Sequence, residues 1–238
     1  MTHTISVPTA PVFACPDTNS EHTDELLFGM TAEITDRLNG FVRIKDEFGY
    51  GGWTREENLL PQLAQPSHMI CLPFADLLPD ARNYYAPVMT LPMGAKVDAG
   101  FSDQFERYAF VVLPDKRTFY IHKKALAPLP KEPQSEARTR ELIVENASKY
   151  LNVQYRWGGK THAGIDCSGL VSSAYMQCGV LIYRDARLHH PDPYKESLWL
   201  CIRQDVEWWA ENPCLFFEIN PEGVSYGFTL WHPRTAAM

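Results

Sequence analysis

The 238-residue chain has no apolar run near the roughly 20 residues a membrane-spanning helix needs, so no membrane partner is expected. Its start, Met1-Thr-His-Thr-Ile-Ser-Val-Pro8, lacks a basic region and an apolar stretch; no export signal is read, and a cytoplasmic location is expected. Basic residues are scarce: 22 Lys and Arg stand against 29 Asp and Glu, a net charge of −7. No dense cationic cluster offers a face to phosphates, which excludes a nucleic-acid partner. No Cys-x-x-Cys pair occurs, so neither a zinc site nor another cofactor is expected. The six cysteines (Cys15, Cys71, Cys167, Cys178, Cys201 and Cys214) have no framework spacing, which suits free thiols in a reducing compartment.

What is present is enough apolar material for real cores, 45% hydrophobic and 12% aromatic. Two stretches near the N-terminus look like diverged copies of one β unit. The first carries Gly29-Met-Thr-Ala-Glu-Ile34, Gly40-Phe-Val-Arg-Ile44, Tyr50-Gly-Gly-Trp-Thr54 and Asn58-Leu-Leu60. The second carries Pro92-Met-Gly-Ala-Lys-Val97, Tyr108-Ala-Phe-Val-Val112, Thr118-Phe-Tyr-Ile121 and Ala125-Leu126. Short alternating segments separated by Gly, Asn or Asp are the pattern of small β-barrels, or of hairpins within one larger domain. Ala127-Pro-Leu-Pro-Lys-Glu-Pro-Gln134 then reads as a stiff linker. Past it the period changes: Leu142, Ile143, Ala147, Tyr150 and Leu151 predict a helix over 135–151.

Chemistry concentrates in Tyr155-Arg-Trp-Gly-Gly159, His162-Ala-Gly-Ile-Asp166 and Cys167-Ser-Gly-Leu-Val171. Leu170, Val171, Ala174, Tyr175 and Cys178 fall at helical spacing, and Gly179 suits a left-handed stop. Asp166 therefore stands at the N-cap and Cys167 in the first turn. The positive end of a helix favours a thiolate, and first-turn amides can stabilise an oxyanion. Gly169 is expected to leave the helix surface bare beside that thiol. The plain alternatives are a buried structural Cys167, an Asp166 that only caps, a packed Tyr155 and a turn aromatic at Tyr50.

The ordered string Tyr-x-Trp-Gly-Gly, then Asp-Cys-Ser-Gly-Leu, resembles the NlpC/P60 family of cell-wall cysteine peptidases, and Gly179-Val-Leu-Ile-Tyr-Arg-Asp185 resembles its next segment. Gly-hydrophobic-Val-Arg-Ile followed by Gly-Tyr-x-Gly-Trp resembles bacterial SH3 (SH3b) domains, as found ahead of the γ-D-glutamyl-L-diamino-acid endopeptidases of that family. The resemblance covers 20–60 well, 68–130 loosely and 135–187 strongly. It implies an α+β chain: SH3-like β-barrels at 1–64 and 65–128, a linker at 129–134, and a papain-like domain at 135–238. Cys167 would attack the γ-D-glutamyl amide of a short murein peptide. Tyr155 would serve the thiolate and oxyanion, and Asp166 and Ser168 the peptide's ammonium. Tyr50 would close the groove from the first β unit. Without an export signal, recycling of imported wall peptides is the expected setting.

The pattern breaks at the general base. The family places a His on the strand after a Gly-Asp-Leu-x-Phe-Phe segment; here Asn212-Pro-Cys-Leu-Phe-Phe217 is followed by Val224-Ser-Tyr-Gly-Phe-Thr-Leu230, with Tyr226 in that place. A phenol, with a reference pKa of about 10, is a poor base at neutral pH. His232 is the strand-end candidate, with His189 and His190 behind it. Residues 196–211 do not resemble the family, and the strand set is expected to be incomplete at Met238. The residues are compatible with a diverged active enzyme, with an inactive or truncated homologue that binds wall peptides without turnover, and with an acyltransferase. They fix no oligomeric state.

Overall fold

The computed structural model describes residues 2–61, 65–82, 85–113, 115–131, 134–184, 198–203, 212–220 and 223–231. The chain forms two compact units, Met1–Arg184 and Asp185–Met238. The first unit opens with β1 (Thr2–Ile5), β2 (Thr9–Phe13), β3 (His22–Leu27), β4 (Thr31–Leu38), β5 (Phe41–Asp46) and β6 (Gly51–Arg55). A 3-10 turn at Glu56–Asn58 then leads into β7 (Leu59–Pro61). These strands pair in the order β3-β2-β6-β5-β4-β1-β7. Side-chain alternation dictates the sheet: in β5, Phe41, Val42 and Ile44 are buried while Arg43 and Lys45 are exposed. Asn39 and Gly40 lie at φ 51° and 77°, as a two-residue hairpin between β4 and β5 requires.

The second set contains β8 (His68–Ile70), β9 (Phe74–Leu77), β10 (Met89–Pro92), β11 (Lys96–Gly100), β12 (Tyr108–Val112) and β13 (Thr118–His122). After a 3-10 turn at Lys123–Ala125 comes β14 (Leu126–Pro128). Its order β13-β12-β11-β8-β14 matches β6-β5-β4-β1-β7 strand for strand, with the 3-10 turn at the same place. The sequence self-similarity is therefore a repeated five-strand topology. The first copy adds β2 and β3 beyond β6; the second inserts the β9–β10 ladder. Where closed barrels were expected, the strand pairing leaves both sheets open. Edge strand β3 turns Asp24 and Glu25 to residues 156–184 and is not paired with β7.

The boundary expected at 64/65 falls between the two sheets, and that expected at 128/129 at the end of β14. Phe28, next to β3, is buried in the core of the second sheet, and Lys96 of that sheet forms an ion pair with Glu47 of the first. The first compact unit runs through both sheets to Arg184.

Beyond the proline-rich stretch, α1 (Glu136–Ser148) starts at Ser135, whose hydroxyl accepts from the Arg138 amide. The helix ends three residues short of the expected Leu151, which is 74% exposed rather than packed. A two-residue hairpin follows, β15 (Lys160–Thr161) and β16 (Gly164–Ile165), and then α2 (Cys167–Met176). Met176 enters the first sheet's core beside Leu26, Leu27 and Met30, and Met93 joins Tyr150 and Ile165 in a third cluster. The second unit holds β17 (Leu198–Arg203), β18 (Asn212–Asn220) and β19 (Gly223–Trp231), an antiparallel meander in which Tyr226 is opposite Phe217. No helix among the described residues is long and apolar enough to cross a membrane.

Met176 is 3% exposed and locks α2 to the first sheet. Met176→Ala is expected to cost about 2–5 kcal/mol. Urea unfolding checks this: an unchanged midpoint would mean the helix is not anchored there.

Candidate active site

Asp166 precedes α2 in an extended conformation (φ −100°, ψ 178°) and caps it, Oδ1 accepting from the Gly169 amide at 2.7 Å. The same oxygen accepts from the Ser168 hydroxyl at 3.3 Å. Oδ2 accepts from the Gly158 amide at 2.9 Å and from Arg184 Nη2 at 2.8 Å. Four donors thus meet a carboxylate with about four lone-pair positions. Burial alone would raise this carboxyl, but the Arg184 hydrogen bond and charge, with the Gly169 and Gly158 amides, outweigh it and hold its pKa below the usual range. Cys167, next in the chain, is the first residue of α2 and is exposed.

The Trp-Gly-Gly loop is built by close backbone approach. Gly158 sits at φ 71°, and a Cβ there would lie 2.8 Å from the His22 carbonyl oxygen. A Cβ on Gly169 would lie 2.2 Å from the Gly159 carbonyl oxygen. This corrects the expectation for Gly169: it does not bare the helix surface but is buried, letting α2 touch the loop backbone. The Asp166 amide also donates to Gly159 O at 3.2 Å. Tyr155 bridges to Ile165, two residues before Cys167, and its side chain is 63% exposed.

Edge strand β3 and the residue before it hold this loop with acidic side chains. Glu21 accepts from Trp157 Nε1 at 3.1 Å. Glu25 pairs with Arg156 and accepts from the Lys160 amide at 3.1 Å. Asp24, fully buried, takes Lys160 Nζ at 2.9 Å and Arg184 Nε at 2.6 Å. Burial opposes the Arg184 charge, yet Asp24 and Asp166 together push its pKa above the ordinary arginine value. Arg184 also donates to the Ser168 hydroxyl. Sequence reasoning missed Asp24, Glu25, Lys160 and Arg184. The available signal was two acidic residues running directly into the apolar Leu26-Leu27-Phe28.

Tyr50 ends the turn after β5, where Asp46 Oδ1 accepts from the Phe48 and Tyr50 amides at 2.9 and 2.8 Å. Its ring is 5.9 Å from that of Tyr183, the neighbour of Arg184, so Tyr50 stands at the edge of this assembly. Cys167, Tyr155, Asp166, Ser168 and Tyr50 thus all belong to one compact unit. Base candidates His232, His189 and His190 lie outside the described residues. Of the described histidines, His162 stacks on Tyr150 and contacts Lys149 O, His122 accepts from the Lys124 amide, and His68 meets Ser67. His22 packs on Phe13 beside Gly158. Burial pushes the Cys71 and Cys178 thiols up, away from reactivity. No group of residues that could hold a metal ion occurs among the described residues.

Comparison with known proteins fits this arrangement. A family profile described as the NlpC/P60 family matches residues 152–205. It reaches past residue 187, so part of the 196–211 stretch read as foreign to the family lies within the match. A dipeptidyl-peptidase 6 from Lysinibacillus sphaericus is 33% identical over 198 residues, 79% of this chain and 73% of that protein. A gamma-D-glutamyl-L-lysine dipeptidyl-peptidase from Bacillus subtilis is 27% identical over 183 residues, 68% of this chain and 55% of its own length. The crystal structure of an NlpC/P60 family protein from Bacillus cereus superposes with a TM-score of 0.65 at 13% identity, covering 97% of this chain and 94% of that one. Fold and motif define a mixed α/β protein with a helix-capping Asp-Cys pair. The chain belongs to the NlpC/P60 family.

Asp46 yields a prediction. Burial, opposed by the Lys160 charge and the Tyr50 amide, raises its carboxyl from 3.8 to about 6, and Oδ2 is buried without a partner among the described residues. The folded state then holds the proton more tightly than the unfolded chain does. Its stabilising contribution is present below about pH 4 and is lost as pH rises through about 6. Asp46→Asn keeps one oxygen for the two amides. It is expected to raise stability by on the order of 2 kcal/mol at pH 8 and by nothing near pH 4, measured by urea unfolding at both.

Proposed function

We propose that this chain is a cysteine peptidase that hydrolyses γ-D-glutamyl bonds in short peptidoglycan peptides through an acyl-enzyme on Cys167. The observation that carries the reading is the exposed Cys167 at the first position of α2, behind an N-cap whose carboxylate is held from four sides. The names of the two relatives supply the peptidase class, and that of the Bacillus subtilis protein supplies the γ-D-glutamyl bond. The two five-strand copies are read as diverged SH3b-type modules.

In the reaction, the Cys167 proton passes to a general base and the sulfur attacks the scissile carbonyl carbon. The Gly169 amide is committed to the cap. The oxyanion would be met by the amides of Cys167 and Ser168 in the same turn and by the Tyr155 hydroxyl. Collapse expels the amine, which takes the proton from the base, and water then releases the acyl group and restores the thiol. Asp166 and Ser168 are proposed for the N-terminal ammonium of the peptide, which would have to compete with Arg184 at Asp166 Oδ2, and Tyr50 for closing one end of the groove. His232 is the proposed base, with His189 and His190 the alternatives.

Incubation with L-Ala-γ-D-Glu-diaminopimelate is expected to release L-Ala-D-Glu, detected by mass spectrometry. Cys167→Ala should lower the rate by about 10³-fold or more. Binding of this peptide without turnover by the unaltered protein would replace the peptidase reading with that of a binding protein.

A further inference from the structure

We propose that Asp24, in the edge strand of the first sheet, is a positioning residue for the Cys167 nucleophile and acts through Arg184. The inference rests on Cys167 being the reactive thiol of the proposed peptidase. Asp24 and Arg184 are 160 residues apart in the chain, and both are essentially sealed from water at 0% and 2% exposure. A guanidinium is a rigid plane with donors in fixed directions, so anchoring one edge orients the other. Asp24 Oδ1 anchors Nε at 2.6 Å. The far nitrogens then fall on the Ser168 hydroxyl and on Asp166 Oδ2, the residues on either side of Cys167.

From Asp166 the constraint spreads to two backbone amides, Gly158 in the loop and Gly169 in the helix. The nucleophile is therefore bracketed by groups whose placement is set from a strand of the first sheet. A lysine at position 184 could supply the charge but not the plane. Lys160, the second partner of Asp24, points its ammonium over the Phe48 ring, 4.9 Å from the centroid, and balances the charge. Asp24 thus has one partner that neutralises it and one that transmits its position.

Asp24→Asn alone would strand the buried Lys160 ammonium and threaten folding. The balanced variant Asp24→Asn/Lys160→Gln removes one charge of each sign. In the folded variant, amide hydrogen exchange at Gly158 and Gly169 is expected to accelerate by about tenfold or more, with amides in α1 and the second sheet unchanged. Iodoacetamide alkylation of Cys167 is expected to slow about fivefold. Unchanged exchange at the two glycines, or acceleration spread evenly through α1 and the second sheet, would overturn the proposal. If the balanced variant does not fold, Arg184→Lys keeps the cation, cannot bridge both carboxylates, and carries the same expectations and the same overturning results. With peptide substrate, kcat is expected to fall and KM to change with it, because Asp166 and Ser168, the two groups that Arg184 holds, are also the proposed ammonium site. A protein that hydrolyses nothing sinks the peptidase reading, while exchange and alkylation still decide the role of Asp24.

Discussion

Arg184, out of water, is gripped on one edge by Asp24 and on the other by Asp166, and the rest of the site depends on that grip. Charges this deep survive only when each finds a counter-charge and a complete set of hydrogen bonds, because desolvation otherwise exceeds the attraction. Here two cations, Lys160 and Arg184, face two anions, Asp24 and Asp166, and the guanidinium donates to three separate acceptors. Removing any one member unbalances the charge that stays buried. Its geometry ties the first sheet to the start of α2, which makes that sheet part of the site.

Backbone contacts complete what the charges begin. Gly158, Gly159 and Gly169 bring the loop, the helix and the strand bearing His22 close enough that a single methyl group would collide. That closeness lets Asp166 collect amides from both loop and helix, and it sets Cys167 on a rigid frame with its own side chain turned to solvent. Closure would leave no edge strand, whereas β3 stays at the edge of an open sheet. Its acidic groups are spent on the loop at 156–160 and on Arg184. An open sheet and a held loop are two sides of one arrangement.

Asp46 shows a cost within the same neighbourhood. It orders the turn that ends in Tyr50 by accepting two amides, yet leaves one oxygen buried without a partner among the described residues. The nearby Lys160 only partly offsets the burial. The turn that presents Tyr50 beside Tyr183 thus carries a buried carboxyl that burial disfavours in its charged form.

The sequence by itself determined the local elements whose signals are short-ranged. Asp166 as N-cap, Cys167 at the first helical position, the left-handed Gly179 and the two β copies could all be read, because capping, helical spacing and alternation act over a few residues. The family could be read from two motifs in order. Only the tertiary structure decided that Gly169 serves contact instead of exposure, that the sheets stay open, and that the first compact unit ends at Arg184. It alone brought Asp24 to Arg184 across 160 positions. Ion pairs leave no periodic trace in a chain, and the partner of a buried charge is set by how sheets and helices pack.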